Sequence, residues 1–153
     1  MPSPKLVDRI AALAMLSVSA AIPLAALGFS GPIGASGEAA AKLMLQDGAE
    51  RRFYTTGPLG TRTYRVDVSS AGKTLETVQV LGEDSFGKIR QGMPATEVFA
   101  RLGPPYRKLR FERTRTTAWD YHFRDAWGYD ADFSVMVDDA GIVAGTFTAR
   151  IGE

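Results

Sequence analysis

The chain has 153 residues, enough for one small domain or two very small ones. Its 18 basic and 17 acidic residues leave a net charge of +1, which excludes the broad basic excess of a dedicated nucleic-acid binder. It has no cysteine, so disulfides and thiolate metal sites are excluded and an exported form this small relies on its core alone.

In chain order, Lys5 and Arg9 come first, followed by an apolar run from Ile10 to Leu27 that Ser17, Ser19 and Pro23 interrupt. Small residues then dominate from Gly28 to Ala41. A charged, then apolar, then small-residue order predicts a secretory signal. The competing reading is an uncleaved membrane anchor, because the run is near the lower limit for a spanning helix. Residues 1–37 are therefore expected to form an export signal or membrane anchor with a small-residue linker. Leu24 to Gly28 has the texture of a lipoprotein signal but lacks the acceptor cysteine.

Residues 38–82 read as a degenerate first repeat, mostly strands. A short helix is expected within Glu38–Leu45, then strands at Arg51–Thr55, Thr63–Ser69 and Leu75–Leu81. Gly57-Pro58-Leu59-Gly60 lies between strands and opens no helix, so it reads as a hairpin loop rather than a phosphate cradle. Residues 83–153 read as a helix-plus-sheet domain. Helices are expected at Asp84–Ile89 and Ala95–Leu102. Strands are expected at Tyr106–Arg113, Ala118–Phe123, Ala131–Val137 and Ile142–Ala149. Turns at Ser69–Gly72 and Asp138–Gly141 use glycine for positive φ. Tight turns make the strands antiparallel, and alternation gives each a buried and a wet face. The expected fold class is α+β, with short helices packed on antiparallel sheet.

The strand half recurs. Tyr54, Gly60, Tyr64–Val68 and Ala71-Gly72 are matched by Tyr121, Gly128, Phe133–Val137 and Ala140-Gly141. An offset of roughly seventy residues is too long for a solenoid and suits a duplicated small unit. Arg52 stands where the second copy has Trp119.

The densest signal runs from Ile89 to Pro105. Gly92 gives a bend, and Pro94 suits the first turn of a helix. Val98, Phe99 and Leu102 share a helical face. Gly103 is placed to cap that helix in the left-handed conformation, and Pro104 and Pro105 forbid its continuation. Gly92-Met93, Glu97-Val98, Leu102-Gly103 and Pro105, then Trp119-Asp120-Tyr121 and a D-x-x-G turn, form a pattern that resembles the SmpA/OmlA (BamE) family over roughly residues 84–148. That resemblance implies a small periplasmic lipoprotein on the outer membrane, accessory to the assembly of β-barrel proteins. Gly92, Met93, Val98, Leu102, Gly103, Pro105, Trp119 and Tyr121 are the fold-defining positions it marks. Family members often carry Thr where this chain has Pro94, so a side-chain helix cap is missing. The duplicated architecture also resembles the β-lactamase inhibitor proteins, by analogy of fold alone.

Candidate chemistry is sparse. His122 is the single histidine, and on a strand between Tyr121 and Phe123 it is expected to face solvent in a structural role. Asp125, Asp130, Asp132, Asp138 and Asp139 fit no calcium loop, and Asp138 and Asp139 read as turn formers. Lys108, Arg110 and Arg113, with Arg107 and Arg115, make one strand basic. Those charges either protect an edge strand or offer a strip to anionic lipid headgroups or an acidic partner. Trp127 and Tyr129 fall in a loop, where they either anchor a partner or fold back over the sheet. No cofactor and no metal are expected, and no nucleophile elbow, P-loop or dinucleotide fingerprint occurs.

The functional expectation is a non-enzymatic interaction module, exported to the periplasm or the periplasmic face of the outer membrane. Its partners would be envelope proteins, chiefly barrel-assembly subunits, with anionic lipid as a second class and no nucleic acid. The alternative is a periplasmic inhibitor or sensor that binds an enzyme or an envelope polymer. A hydrolase using Asp130 and Asp132 is a third class.

Overall fold

The structure, a computed structural model, describes residues 39–56 and 60–152. The expected export signal or membrane anchor of residues 1–37 and most of the Gly57–Gly60 loop lie outside the described residues. Eight strands form two four-stranded antiparallel sheets, each a meander. The first contains β1 (Ala41–Met44), β2 (Glu50–Thr56), β3 (Arg62–Val68) and β4 (Thr74–Gln79) in that order. The second contains β5 (Arg107–Phe111), β6 (Thr116–Arg124), β7 (Asp130–Asp138) and β8 (Val143–Arg150), again in order. Between them lie α1 (Glu83–Phe86) and α2 (Ala95–Leu102).

This corrects the α+β expectation. The described chain is mostly β, and helices of four and eight residues are too short to build a helical layer. The helix expected at Asp84–Ile89 is a single turn that stops at Gly87, whose N–H bonds the Glu83 carbonyl. The expected Glu38–Leu45 helix is replaced by β1. Leu43 pairs with Arg51 and Lys42 with Arg52, so pairing overrides local helical preference.

Alternation explains the second sheet. On its inner face Tyr121, Phe123, Ala131, Phe133, Val135, Val137 and Val143 are buried. The helical segment seals that face. The Phe86 ring stacks on Phe133 at 4.1 Å and meets Phe123 edge-on at 4.8 Å. Val98 and Leu102 are fully buried, which contributes about 1.5–3 kcal/mol each. Val80 and Leu81 leave the end of β4 and enter the same core, tying the first sheet to the second. The first sheet carries its own small cluster of Tyr54, Val66 and Val68.

The motif residues hold the junctions. Gly92 (φ +87) lets the chain pair with β8, its N–H bonding the Val143 carbonyl while the Val143 N–H bonds the Met93 carbonyl. Pro94 is the N-cap rather than the first helical residue, and no side chain caps the helix. Instead the Ala95 N–H bonds the Gly141 carbonyl. Gly103 also differs from expectation. With φ 80° and ψ −162° it is not in the left-handed helical region but in one almost exclusive to glycine. Its N–H bonds Phe99 O, and its carbonyl accepts the buried Tyr121 hydroxyl at 3.0 Å. A Cβ there would sit 2.7 Å from the Phe53 ring. Arg51 completes this junction, with a two-pronged ion pair to Asp67 at 2.7 Å and a bond to the Ala100 carbonyl near the end of α2.

The two sheets also share details of register. Tyr54 opposes Tyr64 as Tyr121 opposes Phe133. Irregularities fall between Asp67 and Val68, and between Met136 and Val137.

Candidate interaction surface

The β6–β7 loop is built around Asp125. Its carboxylate accepts the N–H groups of Trp127 and Tyr129, both at 2.9 Å, and Gly128 (φ +87) closes the turn. Arg150 from β8 bonds the other carboxylate oxygen at 2.8 Å and lies 4.6 Å from the Tyr129 ring centre. Burial alone would raise the Asp125 pKa. The Tyr129 amide, the Arg150 guanidinium and the Trp127 amide outweigh it and hold the group below its ordinary value. A loop fixed in this way holds Trp127 outward, 80 % exposed, with Tyr129 54 % exposed. Neither aromatic folds back as a cover for the sheet.

The basic strand is largely answered by the chain's own carboxylates. Arg107 pairs with Asp120 at 2.7 Å. Arg110 and Arg115 converge on Asp139 at 2.6 and 2.8 Å. The Arg110 hydrogen bond is the main reason the Asp139 pKa is lowered. Lys108 sits 4.2 Å from the centre of the Trp119 ring, a cation–π contact on the inner face. Of the candidate cations, Lys108 and Arg113 have no ion-pair partner among the described residues. Alternation separates Lys108 and Arg110 from Leu109 and Phe111 as expected, but it sends the two apolar side chains outward. Leu109 and Phe111 remain 47 % and 41 % exposed, on the same outer face as Phe147 of β8.

Between these apolar residues lies a buried polar layer that the sequence reading missed. His122 does not face solvent. It is buried on the outer face, with Nδ1 2.8 Å from Asp132 Oδ1. The Tyr106 hydroxyl donates to Asp132 Oδ2 at 3.0 Å, and Ser134 Oγ donates to Asp120 Oδ1 at 2.7 Å. Desolvation, then the Asp132 bond, push the Tyr106 pKa up to about 12. The missed signal was the polar alternation Asp120, His122 against Asp132, Ser134 on paired strands. The remaining acids are structural in placement. Asp138 accepts the Ala140 and Ile142 amides in its turn, and Asp130 pairs with Arg124. Among the described residues no group of three or more His, Asp or Glu is placed to hold a metal ion, and no helix is long and apolar enough to cross a membrane.

The fold-defining candidates fall elsewhere. Val98, Leu102 and Tyr121 are core, and Met93 and Trp119 pack at its margin. Gly92, Gly103 and Pro105 shape the chain around α2. The structure therefore separates two groups: motif residues in the core or at its margin and in the turns around α2, and an exposed apolar and aromatic surface on the second sheet and its loop. Comparison with family models, with curated proteins and with solved structures finds no match.

Proposed function

We propose that the protein is a non-enzymatic interaction module of the cell envelope, acting as an accessory factor in the assembly of outer-membrane β-barrels. The observation that carries the interaction reading is the concentration of exposed large apolar side chains on one sheet. Trp127, Tyr129, Tyr106, Leu109, Phe111 and Phe147 all belong to the second sheet or its connections. Exposed aromatics held on a rigid loop are typical anchors for a partner. The envelope part of the reading rests on the apolar run Ile10–Leu27 behind Lys5 and Arg9, and on the Gly92-to-Tyr121 pattern. A duplicated strand unit belongs to the same reading, and the shared register of the two sheets supports it.

The test is a photo-crosslinking residue placed at Ala126, the exposed neighbour of Trp127, expressed in native envelopes, with mass spectrometry of the adducts. Barrel-assembly subunits are the expected products, absent when the crosslinker stands at exposed Leu75 of the first sheet. Recovery of one soluble enzyme would favour an inhibitor. Adducts no different from those of the Leu75 control would end the proposal.

A further inference from the structure

The four sheet edges are not alike. β1 has only four residues, β4 carries Glu76 and a register irregularity, and β5 carries Arg107, Lys108 and Arg110. Short strands, irregularities and charges are the usual protections of an edge. β8 carries one irregularity, at Val143–Gly145, but from Gly145 to Ala149 it is regular and uncharged, and its side chains are exposed from Thr146 onward. The first residue of its free edge, Val143, is covered by Gly92 and Met93. Beyond it the alternation can be followed from the far end. The Ile151 N–H bonds the Asp130 carbonyl, toward β7, so Ala149 and Phe147 also bond β7. The amides and carbonyls of Thr146 and Thr148 therefore point away from the sheet.

Alongside this edge, on the inner face, runs an open groove of about 560 Å³. Its floor is Phe86, Phe123 and Phe133, and its far wall is Glu83, Ile89 and Arg90. Arg90 stands toward the Val143 end, two residues before the Gly92 contact. Its guanidinium bonds only the Gly87 and Ile89 carbonyls and pairs with no carboxylate among the described residues. A slot with an aromatic floor and polar, charged walls, beside a strand edge left unpaired among the described residues, is a geometry suited to strand addition. Backbone bonds supply affinity, and alternate side chains entering the slot supply selectivity.

We propose that β8 is a peptide-binding edge. Its occupant is an extended segment of a partner protein that pairs antiparallel with Thr146–Thr148, is apolar at every second residue, and carries an acidic residue near its C-terminal end to meet Arg90. Charge argues against a second copy. A two-fold pairing of β8 with itself would bring the Arg150–Asp125 ion pair of one chain, rather than a free carboxylate, to the Arg90 of the other. The paired backbone of this edge is separate from Trp127, although Asp125 and Arg150, which hold that loop, also line one end of the groove.

The probe is a fluorescein-labelled decapeptide of alternating valine and threonine with a C-terminal glutamate, titrated into the purified full chain by fluorescence anisotropy. Thr148→Pro removes an outward N–H at a position where an edge strand tolerates proline. It should weaken binding at least about tenfold while the circular dichroism spectrum is retained. Arg90→Glu lies on the exposed wall. It should weaken the glutamate peptide and strengthen a lysine-ended one. On peptide addition the Thr146 and Thr148 amides should gain hydrogen-exchange protection. The proposal is overturned if the peptide does not bind, or if Arg90→Glu leaves the preference between the two peptides unchanged. It is equally overturned if sedimentation shows a dimer that Thr148→Pro dissociates, because the edge then belongs to a second copy.

Discussion

Gly103→Ala adds one carbon to the tightest junction in the molecule. The new Cβ would lie 2.7 and 2.9 Å from two atoms of the Phe53 ring, which is fully buried and braced by Phe99 at 5.9 Å. The ring cannot simply swing into solvent. Overpacking of this kind costs about 1–3 kcal/mol. The backbone adds about 1–3 kcal/mol, because φ 80° with ψ −162° is a region only glycine occupies comfortably. The sum, about 2–6 kcal/mol, is a large part of the roughly 5–15 kcal/mol that holds a domain together. At about 4 °C per kcal/mol, the melting temperature should fall by about 8–24 °C. The assay is urea and thermal unfolding followed by circular dichroism. Gly92→Ala and Gly141→Ala serve as controls. Both positions have positive φ (87° and 76°), but a Cβ at either meets nothing within 4 Å. They should show the strain without the clash. If Gly103→Ala costs no more than these two, the packing argument at Phe53 is wrong.

Other consequences can be measured alongside. Arg51→Met leaves Asp67 without its two-pronged partner and releases the Ala100 carbonyl, so chemical denaturation should show a loss of about 2–4 kcal/mol. Asp125 and Asp139 are both more acidic in the folded protein, so the stability they add is present above about pH 4 and disappears as pH falls through their folded values. The Asp125→Asn, Asp139→Asn double variant should therefore show a shallower acid slope in urea midpoint, and an unchanged slope would contradict the pairing. Tyr106 runs the other way. Its folded pKa of about 12 exceeds the ordinary value of about 10, so its contribution is complete below pH 10 and is lost as pH rises toward 12. Spectroscopic titration should show a component near 12 that is lost in Tyr106→Phe. Trp127→Ser should change stability by no more than about 0.5 kcal/mol, since the side chain is 80 % exposed, while abolishing partner crosslinking through the loop.

Particular residues show why some elements could be read in advance. The α2 boundaries, Ala95–Leu102, follow from proline before and Gly-Pro-Pro after, and the structure has that span. The Asp138–Gly141 turn follows from a carboxylate that reaches its own backbone and a glycine at φ 76°. These are local rules, decided within a few residues of chain. β1 was misread because its strand character comes from Arg51 and Arg52 across the gap. His122 was misread because alternation tells which face a residue takes but not whether that face is covered. The fold class was misread for a related reason. Two short helices are visible in the pattern, but only the assembled sheets show that they plug a core rather than form a layer.

The amino-acid order by itself determined the strands from β2 onward, their hairpin turns, α2, and the division of the second sheet into an apolar and a mixed face, because period and turn chemistry are short-range properties. Tertiary structure alone decided four further things. It neutralised Arg110 and Arg115 on Asp139, and it buried the polar layer of His122, Asp120 and Ser134. It held Trp127 in the open and, among the described residues, left the β8 edge unpaired beside a groove. Each of these depends on charges, rings and backbone groups that meet across strands far apart in the chain, and no local pattern records such meetings.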